Sequence, residues 1–283
     1  MCSPHVAKSV QERIKREGMP QFNRRDFLRL GGLGMFATAA SAAFGLPQPA
    51  RALQEARKVI DLSHVFGTQI PTYLPGEGPK REDFVTVAKD GFYIQRWTYT
   101  EHAGTHVDIP AHFVADGQTV DNYPADLLVG TAVVIDISAK AAESADATLE
   151  VADIEAYEAA NGQIAAGSIV FMYSGWDARW NDPKAFRNAD AQDVQHYPGF
   201  SADAAKFLVT ERDILGVGVD TLSLDTGMSS TFDAHLTFLA AGKYGIEGVA
   251  NLAMIKEAQA MVVVGVPRWE SGSGGPARVL AIM

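Results

Sequence analysis

The segment HAGTHVDIPAH at residues 102–112 is the feature that most constrains the fold and chemistry of this chain, and it holds three of the seven histidines. Its glycine disfavours a helix between the first two histidines, and its proline disfavours a helix at the residue before it. The β-branched residues between them favour a strand, in which residues two apart share one face. His106 and Asp108 are therefore predicted to point the same way, with His102 joining them from the preceding turn.

These side chains are typical ligands of a divalent metal. Neutral imidazole and carboxylate groups suit zinc, manganese or iron(II), and His102, His106 and Asp108 together leave coordination positions open for water, as in a catalytic site. A bound metal lowers the pKa of its water toward neutrality and so supplies a hydroxide nucleophile. His112 is the predicted proton shuttle between that water and the leaving group. The alternative is that His112 fills the core or supports the ligands.

A second candidate pair is His235 and Glu247, twelve residues apart. The pair is a weak signal by itself, because glutamate is common and usually solvated. Glu247, however, lies in the otherwise apolar stretch 245–249, where a buried carboxylate needs a partner. A metal ion would be such a partner.

The N-terminal residues read as an export signal. Residues 23–29 (NRRDFLR) form a twin-arginine signature, and the apolar run at 30–46 is too short and glycine-rich for a transmembrane helix. Residues 50–52 (ARA) match an A-x-A processing site. We therefore predict a removed signal peptide at 1–52, use of the twin-arginine export machinery and a periplasmic mature protein at 53–283. An uncleaved anchor is the competing interpretation.

The charge of the predicted mature chain excludes several partners. The sequence has 24 basic and 34 acidic residues, of which residues 1–52 hold eight and three, so the remainder has 16 bases against 31 acids. Such a surface disfavours nucleic acid and anionic lipid, and we expect no membrane association after processing. The only cysteine is Cys2, so the mature chain has no disulfide.

Hydrophobic patterning predicts a mixed α/β class with one domain, a large curved sheet and few helices. Asp90-Gly91 is a hairpin turn signal, residues 67–79 read as loop, and Ser201 is a helix N-cap. The predicted strands are 59–62, 84–88, 93–99, 131–137, 168–173, 215–219, 261–266 and 278–282, and the predicted helices are 151–161, 202–210 and 235–241.

The segment 102–112 matches the pattern H-x-G-T-H-x-D-x-P-x-H at every fixed position. In this it resembles the cyclase family of metal-dependent hydrolases, which includes the bacterial kynurenine formamidases (arylformamidases) and the isatin hydrolases. The blocks at 61–63, 174–176, 197–199 and 218–225 resemble family blocks in the same order. The likeness spans about residues 59–264, nearly the whole predicted mature chain.

The resemblance implies a metal-ligand set. The family positions matching His102, His106 and Asp108 bind one ion, and those matching Asp108, His235 and Glu247 bind a second in the formamidases, with the aspartate bridging. The resemblance does not decide whether the site binds one ion or two, or whether the metal is Zn²⁺ or Mn²⁺.

The resemblance also implies the fold, the assembly and the role of the last motif histidine. The expected fold is a mixed α/β domain of swivelling β/β/α type, with a barrel-like sheet flanked by helices, assembled as a homodimer or homotetramer. The position of His112 is that of a proton shuttle in the family.

The predicted activity is hydrolysis of a small amide, lactam or ester bond, with carbon–nitrogen bonds outside peptides as the main target and a small aromatic molecule as substrate. The formamidases tend to carry Pro-Gly-Asp where residues 75–77 read Pro-Gly-Glu, and an exported protein is poorly placed for formylkynurenine. The alternatives are a lactone-forming or dehydrating cyclase and a periplasmic metal- or ligand-binding protein without turnover. Candidate pocket residues are His64, Phe66, Tyr73, Trp97 and Trp176.

Overall fold

The computed structural model describes Arg16 and residues 58–283, so the predicted signal peptide and its processing site lie outside the described residues, Arg16 excepted. The chain divides into two compact units. The larger comprises residues 58–80 and 98–283, and the described residues of the smaller are Arg16 and 81–97. Among these described residues, no helix has the length and apolar character needed to cross a membrane.

The elements are numbered in chain order. The strands are β1 (Val59–Asp61), β2 (Lys80–Val85), β3 (Ile94–Thr98), β4 (His106–Asp108), β5 (Val129–Asp136), β6 (Thr148–Leu149), β7 (Ser168–Tyr173), β8 (Gly199–Phe200), β9 (Gly216–Val219), β10 (Tyr244–Glu247), β11 (Met261–Gly265), β12 (Gly274–Pro276) and β13 (Arg278–Ile282). The helices are α1 (Val87–Asp90), α2 (Ser138–Glu143), α3 (Val151–Asn161), α4 (Pro183–Arg187), α5 (Ala202–Glu211) and α6 (Asp233–Ala240).

The main sheet of the described chain has nine strands in the order β1-β13-β11-β5-β7-β9-β10-β4-β12. The neighbours from β5 through β7 and β9 to β10 run parallel, and the remaining pairs are antiparallel. This mixed sheet, flanked by helices, confirms the predicted fold class. The strand order has two ends, β1 and β12, so the sheet is open rather than closed.

The central strand β7 is buried on both faces, as parallel strands commonly are. Successive side chains of a strand point to opposite faces. Ile169 and Phe171 accordingly join one apolar cluster, and Val170 and Met172 join another. The second cluster also contains buried residues of α3, α5 and α6, so these three helices cover the same face of the sheet.

The smaller unit contains the predicted hairpin, with one correction. β2 and β3 pair as a two-stranded sheet, but the predicted strand at 84–88 ends at Val85. One helical turn, α1, follows in place of a tight turn. The Asp90 carboxylate accepts a hydrogen bond from the Thr86 backbone N–H at 2.8 Å, and Gly91 ends the turn at φ 81°. A left-handed glycine is the usual end of a helical turn, which explains why Asp90-Gly91 closes a helical turn here.

Candidate metal centre

The site is built where β4 and β10 lie side by side. In their antiparallel register, His106 is opposite Glu247, and Asp108 is opposite Gly245. Directly opposed residues project from the same face of a sheet, so Glu247 stands beside His106. Asp108 shares that face because it is two residues further along β4.

Asp108 lies at the centre of the cluster with no exposed surface. Its Oδ1 is 2.6 Å from His102 Nδ1 and 3.3 Å from His106 Nε2. Its Oδ2 is 3.2 Å from His235 Nε2, yet it has no hydrogen-bond partner of acceptable geometry. The two oxygens of Asp108 therefore face different histidines, which is the arrangement that a bridging carboxylate needs.

Glu247 completes the ring of charged groups. One carboxylate oxygen lies 3.3 Å from His106 Nε2, and the other lies 3.0 Å from His235 Nε2. The latter oxygen also accepts the backbone N–H of Leu224 at 2.9 Å. The structure thus brings together the five predicted ligands, which the sequence supplies from two segments more than a hundred residues apart.

Two histidines are oriented through their outer nitrogens. His106 Nδ1 lies 3.0 Å from the carbonyl of Gly104, and His235 Nδ1 lies 2.6 Å from the carboxylate of Asp225. Carbonyl and carboxylate oxygens only accept hydrogen bonds, so each Nδ1 carries the hydrogen and each Nε2 keeps its lone pair. These Nε2 atoms are the ones that face Asp108 and Glu247. Metal-binding histidines are commonly held in this way.

A relay through Ser273 orients His102. The Ser273 hydroxyl donates to the Glu101 carboxylate at 2.6 Å, so its oxygen is left to accept from His102 Nε2 at 2.9 Å. With Nε2 donating to Ser273, the nitrogen that His102 would offer to a metal is Nδ1, which lies 2.6 Å from Asp108 Oδ1. Sequence reasoning missed Glu101 and Ser273, which lie 172 residues apart and carry no motif.

The supporting role of Asp225 was also missed, although this residue lies ten residues before His235 and ends the block at 218–225. It accepts the backbone N–H groups of Ala234 and His235 at 2.8 and 3.2 Å, in addition to the imidazole hydrogen. One buried carboxylate thereby holds both the first turn of α6 and the ring that α6 carries. A buried acid close in sequence to a predicted histidine ligand was the available signal.

The electrostatics of the cluster call for added positive charge. Burial opposes a charge on His106, but Asp108 and Glu247 outweigh burial and raise its pKa to about 10. Burial likewise opposes a charge on His235, and its three carboxylate neighbours raise its pKa well above the ordinary value. Burial acts to raise the pKa of Asp108 and of Glu247, yet the histidines lower both. Protons or a metal ion can supply this charge.

The donor set fits a divalent metal. Ligand atoms of His102, His106 and Asp108 lie within 4.8 Å of one another, as do those of Asp108, His112 and His235. Two ligands about 2.1 Å from one ion are separated by about 3.4 Å at a tetrahedral angle. The distances of 3.3 and 3.2 Å from Asp108 to His106 and His235 agree with this separation, whereas the 2.6 Å from Asp108 to His102 is shorter. The unpartnered Asp108 oxygen offers a further lone pair.

His112 lies beside the ligands on the 3₁₀ turn Pro110–His112. Its ring stacks on His102 with centroids 3.7 Å apart and is 6.1 Å from the ring of His235. Burial lowers the pKa of His112 below the ordinary value of 6.5. Its position and its neutral form allow either a proton-carrying role or a place among the ligands of a second ion.

A cavity of about 340 Å³ opens onto the cluster, within the size range of small-molecule sites. Three aromatic residues from separate segments, Tyr73, Phe113 and Phe232, form part of its wall. The Phe113 ring is 5.5 Å from Phe232 and stacks on His235 at 4.7 Å. Besides the ligand set, the remaining lining residues are Pro71, Thr72, Glu77, Thr100, Gly104, His112, Leu222 and Ser223.

Of the five candidate pocket residues, Tyr73 lines this cavity, whereas His64, Phe66 and Trp176 are not among its described lining residues. Phe66 meets the ring of Tyr99 edge-on at 5.1 Å. Trp97 belongs to the smaller unit, where its indole N–H donates to Gln95.

His64 and Trp176 occupy packed surroundings. The ring of His64 stacks on Trp180 with centroids 3.9 Å apart, and burial lowers its pKa to about 4. Trp176 is fully buried and donates its indole N–H to the carbonyl of Phe186 at 2.8 Å. Both side chains therefore support the fold in this structure.

Comparison with known proteins places this geometry in a family. The Cyclase family model matches residues 60–226. Isatin hydrolase from Roseibium aggregatum is 33% identical over 264 residues, covering 87% of this chain and 98% of the relative. Kynurenine formamidase from Maricaulis maris is 27% identical over 180 residues, covering 63% and 76%. The crystal structure of an isatin hydrolase bound to the product analogue thioisatinate superposes with a TM-score of 0.77 at 30% identity, covering 87% and 98%.

Proposed function

The chain belongs to the Cyclase family, and on that premise we propose that it is a metal-dependent hydrolase that opens a small aromatic cyclic amide, with isatin as the first candidate. The observation that carries this proposal is the orientation of His102, His106 and His235. Each ring has its outer nitrogen tied to an acceptor and its other nitrogen aimed at Asp108.

The ligand set that we propose is His102, His106 and Asp108 for one ion and Asp108, His235 and Glu247 for a second. The separate orientation of the two Asp108 oxygens supports a bridging role. The same residue types accept Zn²⁺ and Mn²⁺, and either ion fits the proposal. When bound, the metal lowers the pKa of a coordinated water and polarises the substrate carbonyl.

His112 is the proposed proton carrier. In amide hydrolysis, the water oxygen bonds to the carbonyl carbon and the carbon–nitrogen bond breaks. One proton of the water goes to the departing nitrogen, and the other is released to solvent as the carboxylate forms. A neutral His112 at the cavity wall can accept the proton of the water and return it to that nitrogen. The lowered pKa keeps this imidazole in its neutral form at neutral pH.

The aromatic residues of the cavity hold the ring of the substrate. Tyr73, Phe113 and Phe232 present aromatic surface to a planar molecule next to the ligand cluster. A cyclic amide is favoured over an open formamide because the isatin hydrolase relative is more similar than the formamidase and is matched over more of its length.

The direct test is turnover by the purified, metal-loaded chain. We expect isatin to be opened to isatinate, with slower hydrolysis of N-formylkynurenine, and we expect His112→Ala to lose turnover while retaining its metal. Hydrolysis of N-formylkynurenine without hydrolysis of isatin would show that the substrate is an open formamide rather than a cyclic amide. Tight ligand binding without turnover of either compound would instead support the binding-protein alternative, and formation of a lactone or loss of water would support the cyclase alternative.

We also propose that the chain is exported to the periplasm by the twin-arginine machinery and assembles as a homodimer or homotetramer. The arginine pair at 24–25 supports export. Replacing both arginines with lysine should leave the protein in the cytoplasmic fraction, and normal export of that variant would contradict the proposal.

Light scattering after size-exclusion chromatography measures the assembly.

A further inference from the structure

Tyr73 is a cavity residue whose backbone is held by contacts from elsewhere in the chain. It lies in residues 67–79, here called the cavity loop, which has neither helix nor strand in the described structure. Its side chain is 37% exposed, and its ring is 6.5 Å from that of Phe232 across the cavity wall. No strand pairing holds the backbone of Tyr73, so side chains from other segments can fix its position.

Two such side chains converge on the backbone carbonyl of Tyr73. Arg187 donates from Nε at 3.1 Å, and Gln195 donates from Nε2 at 3.1 Å. These donors lie more than a hundred residues away in sequence. A hydrogen bond from a charged guanidinium is about twice as strong as a neutral one, so Arg187 is the stronger of the two.

The two donors are themselves held in place. The Arg187 guanidinium makes two hydrogen bonds to the Asp193 carboxylate, at 2.6 and 3.1 Å, and its side chain is only 15% exposed. Asp190 accepts the backbone N–H groups of Gln192 and Val194 within the same loop. Because these two bonds fix the guanidinium group, its Nε–H points in one direction, toward the cavity loop.

We propose that Arg187 is a positioning residue that holds Tyr73 against the substrate cavity and thereby sets substrate affinity. This inference rests on the proposed hydrolase function. Arg187 is not among the described lining residues of the cavity and makes no contact with the ligand cluster, so its effect passes through Tyr73. Loss of the tether should therefore weaken substrate binding while the chemistry at the cluster continues.

The decisive experiment is a double-mutant cycle of Arg187→Met and Tyr73→Ala on the metal-loaded protein with isatin as substrate. We expect Arg187→Met to raise KM about fivefold, as expected for the loss of about one hydrogen bond, with kcat nearly unchanged. In the Tyr73→Ala background, the same change should raise KM no further, because the group that it positions is absent. Equal, additive effects in the two backgrounds would overturn the proposal.

Arg212→Met is the matched control. Arg212 is 13% exposed, and its guanidinium makes two hydrogen bonds to Glu158 at 2.6 Å each, but it donates to no residue of the cavity loop. This variant should leave KM unchanged. Asp193→Asn tests the same tether with Arg187 still present. It should weaken the two hydrogen bonds that hold the Arg187 guanidinium, and Asp193 is 67% exposed, so the change should disturb the fold little. We expect a smaller rise in KM in the same direction.

Limited proteolysis tests the tether without any substrate. Proteolysis is faster where the backbone can open locally, so Arg187→Met should speed chymotrypsin cleavage after Tyr73 relative to both wild type and Arg212→Met. An unchanged cleavage rate at Tyr73 would overturn the positioning role, whatever the substrate. Faster cleavage in a protein that does not open isatin would support the tether and refute the proposed substrate.

Discussion

Asp225→Asn probes how the cluster keeps its histidines ready for a metal. Asp225 accepts three hydrogens: the backbone N–H groups of Ala234 and His235 and the Nδ1 hydrogen of His235. Asparagine offers one acceptor oxygen and one donor group. With its oxygen in the place of Oδ1, asparagine still accepts the Ala234 N–H, and its NH₂ takes the place of Oδ2, facing the His235 backbone N–H and Nδ1. Nδ1 must then become an acceptor. The imidazole hydrogen moves to Nε2, the atom that faces Asp108 and Glu247.

The expected cost follows from that change of tautomer. Loss of a residue that orients a metal-binding histidine weakens metal affinity by about 10- to 100-fold, which is about 1.4–2.7 kcal/mol. Folding should be affected less, because the amide oxygen still accepts the Ala234 N–H and only the His235 N–H loses its acceptor. The loss of a helix cap is worth about 1 kcal/mol of unfolding free energy.

The assay is competition for Mn²⁺ or Zn²⁺ between the protein and a chelator at pH 7, with unfolding by urea measured in parallel. Ser201→Ala is the matched control, since Ser201 caps α5 by accepting the Ala204 N–H at 3.2 Å and does not contact the cluster. It should lower stability by about 1 kcal/mol and leave metal affinity unchanged. A folded Asp225→Asn protein with wild-type affinity would refute the proposed use of His235 Nε2.

Four further predictions concern His112, Glu247 and Gly274. With metal saturating, kcat/KM should rise with pH through a midpoint below 6.5, because burial lowers the pKa of His112 and only its neutral form accepts a proton. His112→Ala should lower kcat/KM by about 10²- to 10⁴-fold and should remove this rise with pH. Glu247→Gln should reduce metal content to one ion per chain, measured by elemental analysis, and unchanged content would contradict the second site. Gly274→Ala should lower the unfolding free energy by about 1–3 kcal/mol, since a Cβ there would lie 2.1 Å from the Val107 carbonyl oxygen, whereas Gly67→Ala has nothing within 4 Å and should have little effect.

The elements with strong apolar periodicity were predictable from sequence. β7, β13 and α3 have the predicted bounds, and α5 begins at its predicted cap, Ser201. β12 was not predicted, because its sequence Gly-Gly-Pro has no strand propensity. It forms in this structure because it lies against β4, where Gly274 allows a closer approach than any side chain would.

The ligand set was predictable because three of its five members, His102, His106 and Asp108, lie within seven residues, in a segment whose glycine and proline disfavour a helix. The residues that orient these ligands were not predictable from sequence. Ser273 reaches His102 only because β12 pairs with β4, and no local pattern encodes that pairing. The cavity wall shows the same limit: Tyr73 was predicted, but Phe113 and Phe232 were not, since aromatic residues in a core and in a pocket look alike in sequence.

The most direct test of the account is the metal content of the protein, purified without chelators, for wild type and for Asp108→Ala. The account predicts zinc or manganese in the wild type, with two ions per chain if both sites fill. It also predicts loss of all bound metal in the variant, because both sets of ligands depend on Asp108. Full metal content in Asp108→Ala, or turnover by a wild-type protein that holds no metal, would contradict the central claim.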